Sequence, residues 1–343
     1  MELGERKKKI LNAIVETYIA TGEPVGSKVI AQITDMGLSS ATIRNEMSEL
    51  AEMGFIVQPY TSAGRIPTQK GYRMYVDRLM DKYQLNFDEK REIDNLLKIN
   101  GGDIESTLSK AGELLAQITG FASLSTSCQD RRNRVRRIQV VPAGRRSLLL
   151  VILATSGVIK TRLCRIDEDL TEDMLQFFSR LVNDKVSGKT FEEVTPGLMD
   201  AVSGELFEYT YALRPVLGII LEEIRDIMDA EVFLGGEANL LAHREFDGTK
   251  VAEIIRYLEK RDEILRLIED IGGGISVRIG TENGISPMED STLIAAPYDF
   301  QGRTAGTIGI IGPTRLDYAR LMSNIEYFST VLSRLINEAF GDV

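Results

Sequence analysis

Three short amphipathic patterns within the first 54 residues, each closed by a glycine-marked break, restrict this chain more than any other feature of its sequence. Over residues 4–20, Ile10, Leu11, Ile14, Val15, Tyr18 and Ile19 recur at the spacing that lines one face of a helix with apolar side chains. Gly22 stops that helix and Glu23-Pro24 begins a turn. Residues 25–33 predict a second, shorter helix with Val29, Ile30 and Ile33 turned inward, broken by Asp35-Met36-Gly37. Ser39-Ser40 offers an N-cap for a third helix running to about Met53, because a short hydroxyl side chain accepts from the free amides of the first turn. Helices this short gain little stability alone and must share one core.

On the third helix Ile43, Met47 and Leu50 share a face, which leaves Ala41, Asn45 and Ser48 opposite, flanked by Thr42, Arg44 and Glu49. Small residues let such a face approach a partner closely, while Arg can fork onto guanine and Asn can pair with adenine in the major groove. Standing alone, the pattern describes a solvated surface helix more readily. It does not stand alone. Gly54 ends the helix, Phe55-Ile56-Val57 reads as a short strand, and residues 58–68 form a turn-rich loop holding Tyr60, Thr61, Ser62, Gly64, Arg65 and Pro67. Lys70-Gly71-Tyr72-Arg73 follows. Three helices, a strand and a glycine-containing basic loop have the order of a winged helix-turn-helix, whose wing suits phosphate or minor-groove contact. Arg6 to Lys9, which open the first helix, are further candidates for backbone contact.

The net charge of −10 argues against a polyanion partner until it is divided along the chain. Residues 1–80 carry 10 basic and 9 acidic side chains, whereas the remainder carries 31 and 42. A small, nearly neutral unit is thus joined to an acidic body.

The runs Leu38-Ser-Ser-Ala-Thr-Ile-Arg-Asn-Glu-Met47, Thr61-Ser-Ala-Gly-Arg-Ile-Pro-Thr68 and Gly71-Tyr-Arg73 closely resemble the HrcA family of bacterial heat-inducible transcription repressors. Beyond residue 80 the resemblance rests on layout. It implies a DNA-binding repressor of chaperone operons that acts as a homodimer on double-stranded DNA carrying an inverted repeat. It also implies dependence on the GroEL chaperonin for active folding, with heat diverting the chaperonin and releasing repression. In that reading Arg44 and Asn45 read bases, with Ser48 beside them, and Ser39, Ser40 and Thr42 bind phosphate at the helix N-terminus. Tyr60, Thr61, Ser62, Gly64 and Arg65 form the wing contact, and Arg6, Lys7, Lys70 and Arg73 complete the DNA-binding set.

The body begins after an amphipathic continuation (Val76, Leu79, Met80), a boundary at Leu85-Asn-Phe-Asp and a linker at Asn100-Gly-Gly-Asp. Helical spacing returns over residues 104–118. Strand patterns then occupy residues 134–141, 148–154 and 158–166, and later 231–234, 275–279, 292–296 and 304–311, the last two joined as a hairpin by residues 297–302. A closing helix spans about 315–340. A helix, an antiparallel sheet and a closing helix resemble the GAF fold, which the family resemblance also leads one to expect. The pattern turns helical between about 167 and 230, as an inserted domain would. The expected architecture is therefore α+β and multidomain. It comprises a winged-helix domain with linker (1–100), a GAF-like domain (101–166 and 231–343) and an inserted, mainly helical domain (167–230). The resemblance implies that the insertion mediates dimerisation. Met174, Phe177, Phe178, Leu181, Val216, Ile219, Ile220 and Leu221 offer apolar surface for it, although each fits a private core as well.

Other features point to no chemistry. One histidine (His243) and two cysteines (Cys128, Cys164) are too few for a four-ligand zinc site. Neither Gly235-Gly236 nor Gly272-Gly-Gly274 has a phosphate-loop spacing. Glu222-Glu223 reads as paired surface charge, and the arginines at 131, 132, 134, 136, 137, 145 and 146 as a solvated hairpin face. No cofactor, metal or catalytic group is expected. The longest apolar runs are too short to span a membrane, the start lacks a signal-peptide core, and a cytoplasmic location fits the few cysteines. The competing expectation is a ligand-responsive regulator with an effector pocket lined from residues 148–154 and 292–296.

Overall fold

The computed structural model describes the chain except residues 1–2, 35, 98–103, 128–133, 156–157, 207, 229, 270, 272 and 341–343. The expected linker at 100–103, Cys128, Arg131 and Arg132 therefore lie outside the described residues.

The N-terminal unit is built from α1 (Glu5–Thr21), α2 (Ser27–Ile33), α3 (Ser40–Glu52), the two-residue strands β1 (Ile56–Val57) and β2 (Ile66–Pro67), and α4 (Gln69–Met74). Ile10, Leu11, Ile14 and Val15 of α1 close over Ile30 of α2 and Ile43, Met47 and Leu50 of α3, all buried. Gly22 caps α1 in the left-handed conformation (φ 73°), its N–H donating to the Tyr18 carbonyl at 2.8 Å. On α2 the expectation needs correction: Val29 and Ile33 are 41% and 54% exposed. The buried side of this seven-residue helix runs through Ser27 and Ile30, which rotates Val29 and Ile33 away from the core.

Next come α5 (Phe87–Leu96) and α6 (Ile104–Thr119). A capping box between Asn86 and Glu89 starts α5, which lies on the closing helix α12 (Tyr318–Phe340) through Arg320–Glu89 (3.0 Å) and Arg334–Asp94 (3.2 Å).

The body is an antiparallel five-stranded sheet in the order β7-β3-β10-β9-β8, formed by β3 (Ala122–Ser127), β7 (Val232–Gly235), β8 (Ser276–Ile279), β9 (Ser291–Phe300) and β10 (Arg303–Pro313). Alternate residues of a strand face opposite sides of a sheet. Ile294, Ala296, Ile308 and Ile310 accordingly join α6, α12 and the N-terminal unit in one core. Leu293, Ala295 and Ile311 join α10 (Gly248–Leu258) and α11 (Arg261–Ile268) in another. On β3, Ser123 and Ser125 donate to the Gly112 and Leu108 carbonyls of α6 at 2.6 and 2.9 Å, so small hydroxyls replace the apolar signal there. This is the GAF-like, α+β arrangement expected.

The domain boundary differs. The strands β4 (Val135–Gly144), β5 (Ser147–Ala154) and β6 (Ile159–Arg165) form a separate sheet in the order β4-β5-β6. Its inner face packs on α7 (Glu172–Val186), α8 (Pro196–Gly204) and α9 (Arg214–Met228) in a third core. These three strands, expected in the GAF-like sheet, thus belong to the insertion, which is α+β rather than mainly helical. Phe178, Val216 and Ile220 are fully buried in this core, and Met174 nearly so, so they are not surface for a partner. Phe177, Leu181, Ile219 and Leu221 are half-buried. Residues 148–154 and 292–296 lie in different sheets and do not line a common pocket. Glu223 is buried and accepts from Arg162 at 2.7 Å, so only Glu222 is a surface charge. No described helix is long and apolar enough to cross a membrane.

Candidate nucleic-acid interface

Helix α3 begins at Ser39, whose side chain accepts from the Thr42 N–H at 3.2 Å and lies 3.0 Å from the Thr42 hydroxyl. The Ser27 and Ser40 hydroxyls are 3.1 Å apart, which brings the N-termini of α2 and α3 to one edge of the unit. Unpaired N–H groups and the positive ends of two helix dipoles gather there, beside the exposed Lys28. No local pattern in the sequence marks Lys28, because its place depends on how two helices meet.

The outward face of α3 consists of Ala41, Arg44, Asn45, Ser48 and Glu49, all exposed. Ser48 donates back to the Arg44 carbonyl at 3.0 Å. Among the described residues no hydrogen bond or ion pair holds the side chain of Arg44 or Asn45. Both are free to reach a partner laid along the helix.

The wing is fixed at its base. Arg65 and Val25 exchange two backbone hydrogen bonds of 2.9 Å, tying the loop to the turn before α2. A Cβ on Gly64 would stand 2.5 Å from the Val25 carbonyl carbon and 2.6 Å from the Pro24 oxygen, so only glycine admits this approach. The tip turns through an Ala63 N–H bond to the Tyr60 carbonyl and a left-handed Ser62 (φ 73°). Tyr60 is 63% exposed there, and Thr61 and Ser62 are exposed beside it.

Four of the expected cations are otherwise engaged. Lys7 lies 3.0 Å from Glu46 and 2.9 Å from Glu49, and Arg6 lies 3.3 Å from Glu46. These pairs fasten α1 to α3; the Lys7 ammonium beside it holds the Glu46 carboxyl below the usual carboxylate range. Lys70 donates to the Met53 carbonyl at 2.8 Å and sits over the Phe55 ring, where it caps α3 at its far end. Arg73 is paired with Glu282 and with Asp77 and donates to the Val277 carbonyl, on the body. Lys7, Lys70 and Arg73 are therefore corrected from DNA contacts to internal ties, whereas Arg6 stays half exposed. Each partner except Asp77 is distant in sequence, which local charge does not reveal.

The other singled-out groups are structural. His243 stacks on Phe121 at 4.6 Å, with Nε2 3.2 Å from the Gly120 carbonyl. Burial pushes the Cys164 thiol up, away from the reactive thiolate. Arg145 and Arg146 pair with Asp169. Among the described residues no group of three or more His, Cys, Asp or Glu is placed to hold a metal.

Two family models match the chain. One is described as the winged helix-turn-helix transcription repressor, HrcA DNA-binding, over residues 2–80, and the other as the HrcA protein C-terminal domain, over residues 105–322. The chain is 36% identical to the heat-inducible transcription repressor HrcA of Acetivibrio thermocellus, covering 99% of this chain and 98% of the relative. It is also 36% identical to the namesake protein of Pelotomaculum thermopropionicum, over 98% and 97%. A crystal structure of a hypothetical protein at 2.2 Å superposes with a TM-score of 0.71 and 26% identity, covering 98% of this chain and 99% of that one. With a winged helix whose outer face is open and matches that run the length of the chain, this protein belongs to the HrcA family of heat-inducible transcription repressors.

Proposed function

We propose that this repressor binds an inverted-repeat operator of chaperone genes as a homodimer, one α3 entering each of two major grooves. The observation that carries this reading is the uncommitted face of α3, where Arg44 and Asn45 stand free while the cations behind the helix are paired. Arg44 and Asn45 read base edges and Ser48 lines the same groove. Ser39, Ser40, Thr42 and Lys28 meet phosphates at the joined helix N-termini. Tyr60, Thr61 and Ser62 reach the flanking backbone or minor groove, held in place by Gly64 and Arg65. The protein needs no catalytic group for this work.

Dimerisation is assigned to the outer face of the inserted sheet. Val141, Leu149 and Leu163 stand side by side in register across β4, β5 and β6, with Val151, Leu153 and Ile159 beside them. None of these six joins any of the three hydrophobic cores, and Leu163 is 61% exposed. An apolar sheet face of this kind is stabilised by pairing with its copy about a two-fold axis. Release on heating, with GroEL required to restore the active fold, completes the proposal.

Footprinting the purified protein on an inverted repeat from a chaperone promoter, with and without chaperonin, tests it. Protection of both half-sites, strengthened by chaperonin, is expected. Equal protection of an unrelated duplex at the same salt concentration would remove the sequence-reading role of α3.

A further inference from the structure

The N-terminal unit does not hang from the body on a loose tether; side chains with no share in the DNA face hold it there. Arg73 on α4 grips Glu282, its Nε donating to Oε1 at 2.8 Å and its second terminal nitrogen reaching both Oε2 and the Val277 carbonyl. Glu282 is fixed in turn by the Ile279 N–H at 2.8 Å. One turn away, Gln69 accepts from the Thr281 N–H and hydroxyl at 3.0 and 2.9 Å and donates to the Glu289 carbonyl at 2.8 Å. Gly280 makes room: a Cβ there would lie 2.1 Å from the Gln69 amide, and its φ of +58° disfavours any other residue. On the other side of the unit, Arg315 donates to the Ile19 carbonyl at 2.8 Å and pairs with Glu245, closing over the C-terminus of α1. Between these clamps the buried Tyr72 and Tyr318 rings meet at 5.7 Å. A hinge needs none of this. Polar groups that satisfy one another on both sides of a packed aromatic pair define a single orientation.

We propose that Arg73 and Gln69 are positioning residues that lock the winged helix to the loop at residues 280–289, so that the body sets the angle and spacing at which two α3 helices meet DNA. This rests on the dimeric operator reading above. Two sites joined rigidly are engaged together only when their separation matches that of the target, whereas a loose tether tolerates many separations.

The experiment uses the full-length protein and a series of inverted repeats that differ only in spacer length, with a single half-site as reference. Wild type should bind its best spacer at least ~10-fold tighter than one lengthened by about 5 bp, half a helical turn, which carries the second site to the far side of the duplex. Glu282→Gln and Gln69→Ala should each shrink that preference to below about 3-fold while leaving half-site affinity unchanged, because the unit, then held chiefly by Arg315 and the shared core, shifts far enough to meet either spacing. Retained spacing preference in both variants would overturn the latch. So would a parallel loss of half-site and full-site affinity with a lowered melting temperature, which would mark the contacts as mere stability. If wild type itself ignores spacing while binding the half-site, the two-fold operator reading fails and the latch with it.

Discussion

Arg44 and Lys28 stand in solvent near the α3 N-terminus, and Lys7 lies behind the helix between two carboxylates. Their substitutions should therefore separate. Arg44→Ala should cost about 1 to 3 kcal/mol at the cognate operator and little on unrelated duplex, since a forked contact to a base edge is lost. Lys28→Ala should weaken all sequences alike and reduce the slope of log affinity against log salt by about 1, the signature of one lost phosphate contact. Lys7→Ala should leave that slope unchanged and lower the melting temperature, because it unties α1 from α3. Salt titrations of the three variants decide between a phosphate contact and a tie. The sequence alone suggests Arg44 and Lys7 as DNA contacts and carries no signal for Lys28. Arg44 was legible because a 3.6-residue period fixes which side of α3 it occupies. Lys7, Lys70 and Arg73 were not, since whether a cation is free depends on carboxylates and carbonyls that the fold brings to it, in one case 209 positions away.

At the scale of elements, the wing depends on a contact no local pattern discloses: the close pass of Gly64 over the Pro24-Val25 backbone. Gly64→Ala should force the wing from the turn and destabilise the N-terminal unit by about 1 to 3 kcal/mol, the usual cost of overpacking, read as a lowered melting temperature. It should also weaken operator binding more than Tyr60→Ala, which removes one exposed side chain and leaves the wing in place. Strand character was well marked in the sequence at β4, β5, β6, β9 and β10, yet sheet membership was not. Alternation reports that a segment is half-buried, not which neighbour pairs with it. β3 escaped notice altogether because its inward positions are serines bonded to the carbonyls of α6. The turn between β9 and β10 is tighter than expected, with Gln301 and Gly302 at φ 51° and 75° and the strand running on through Phe300.

For the whole molecule, the outer face of the inserted sheet predicts assembly. Leu163→Asp puts a charge on a side chain already 61% exposed, so the subunit should keep its fold while the dimer gives way to monomer by light scattering. Acid should loosen the subunit itself. Glu46, Glu89 and Glu282 all have pKa values held below the carboxylate range: Glu46 chiefly by Lys7, Glu89 by the Asn86 backbone, and Glu282, which burial alone would push up, by Arg73 and Ile279, whose combined effect outweighs that burial. Groups with lowered folded values contribute stability above their unfolded pKa of about 4.3 and lose it as pH falls through the folded value. The melting temperature should therefore hold near neutral pH and fall below about pH 5, a trend weakened by Glu282→Gln.

The chain leaves the GAF-like sheet after Ser127 and returns at Glu231, 104 positions later, within hydrogen-bond reach of its point of departure. There the Ser127 N–H donates to the Glu231 carbonyl at 3.0 Å, and the Glu231 N–H to the Ser127 hydroxyl at 2.8 Å. The described residues between have their own sheet and core, and beside the doorway Lys160 of β6 ties them to Glu105 of α6 at 2.9 Å. A segment whose ends meet in this way behaves as a cassette: it can be excised and the gap closed by a short turn without restringing the body. The surface proposed to bring subunits together is thus separable, as a unit of inheritance and of engineering, from the surface proposed to read DNA.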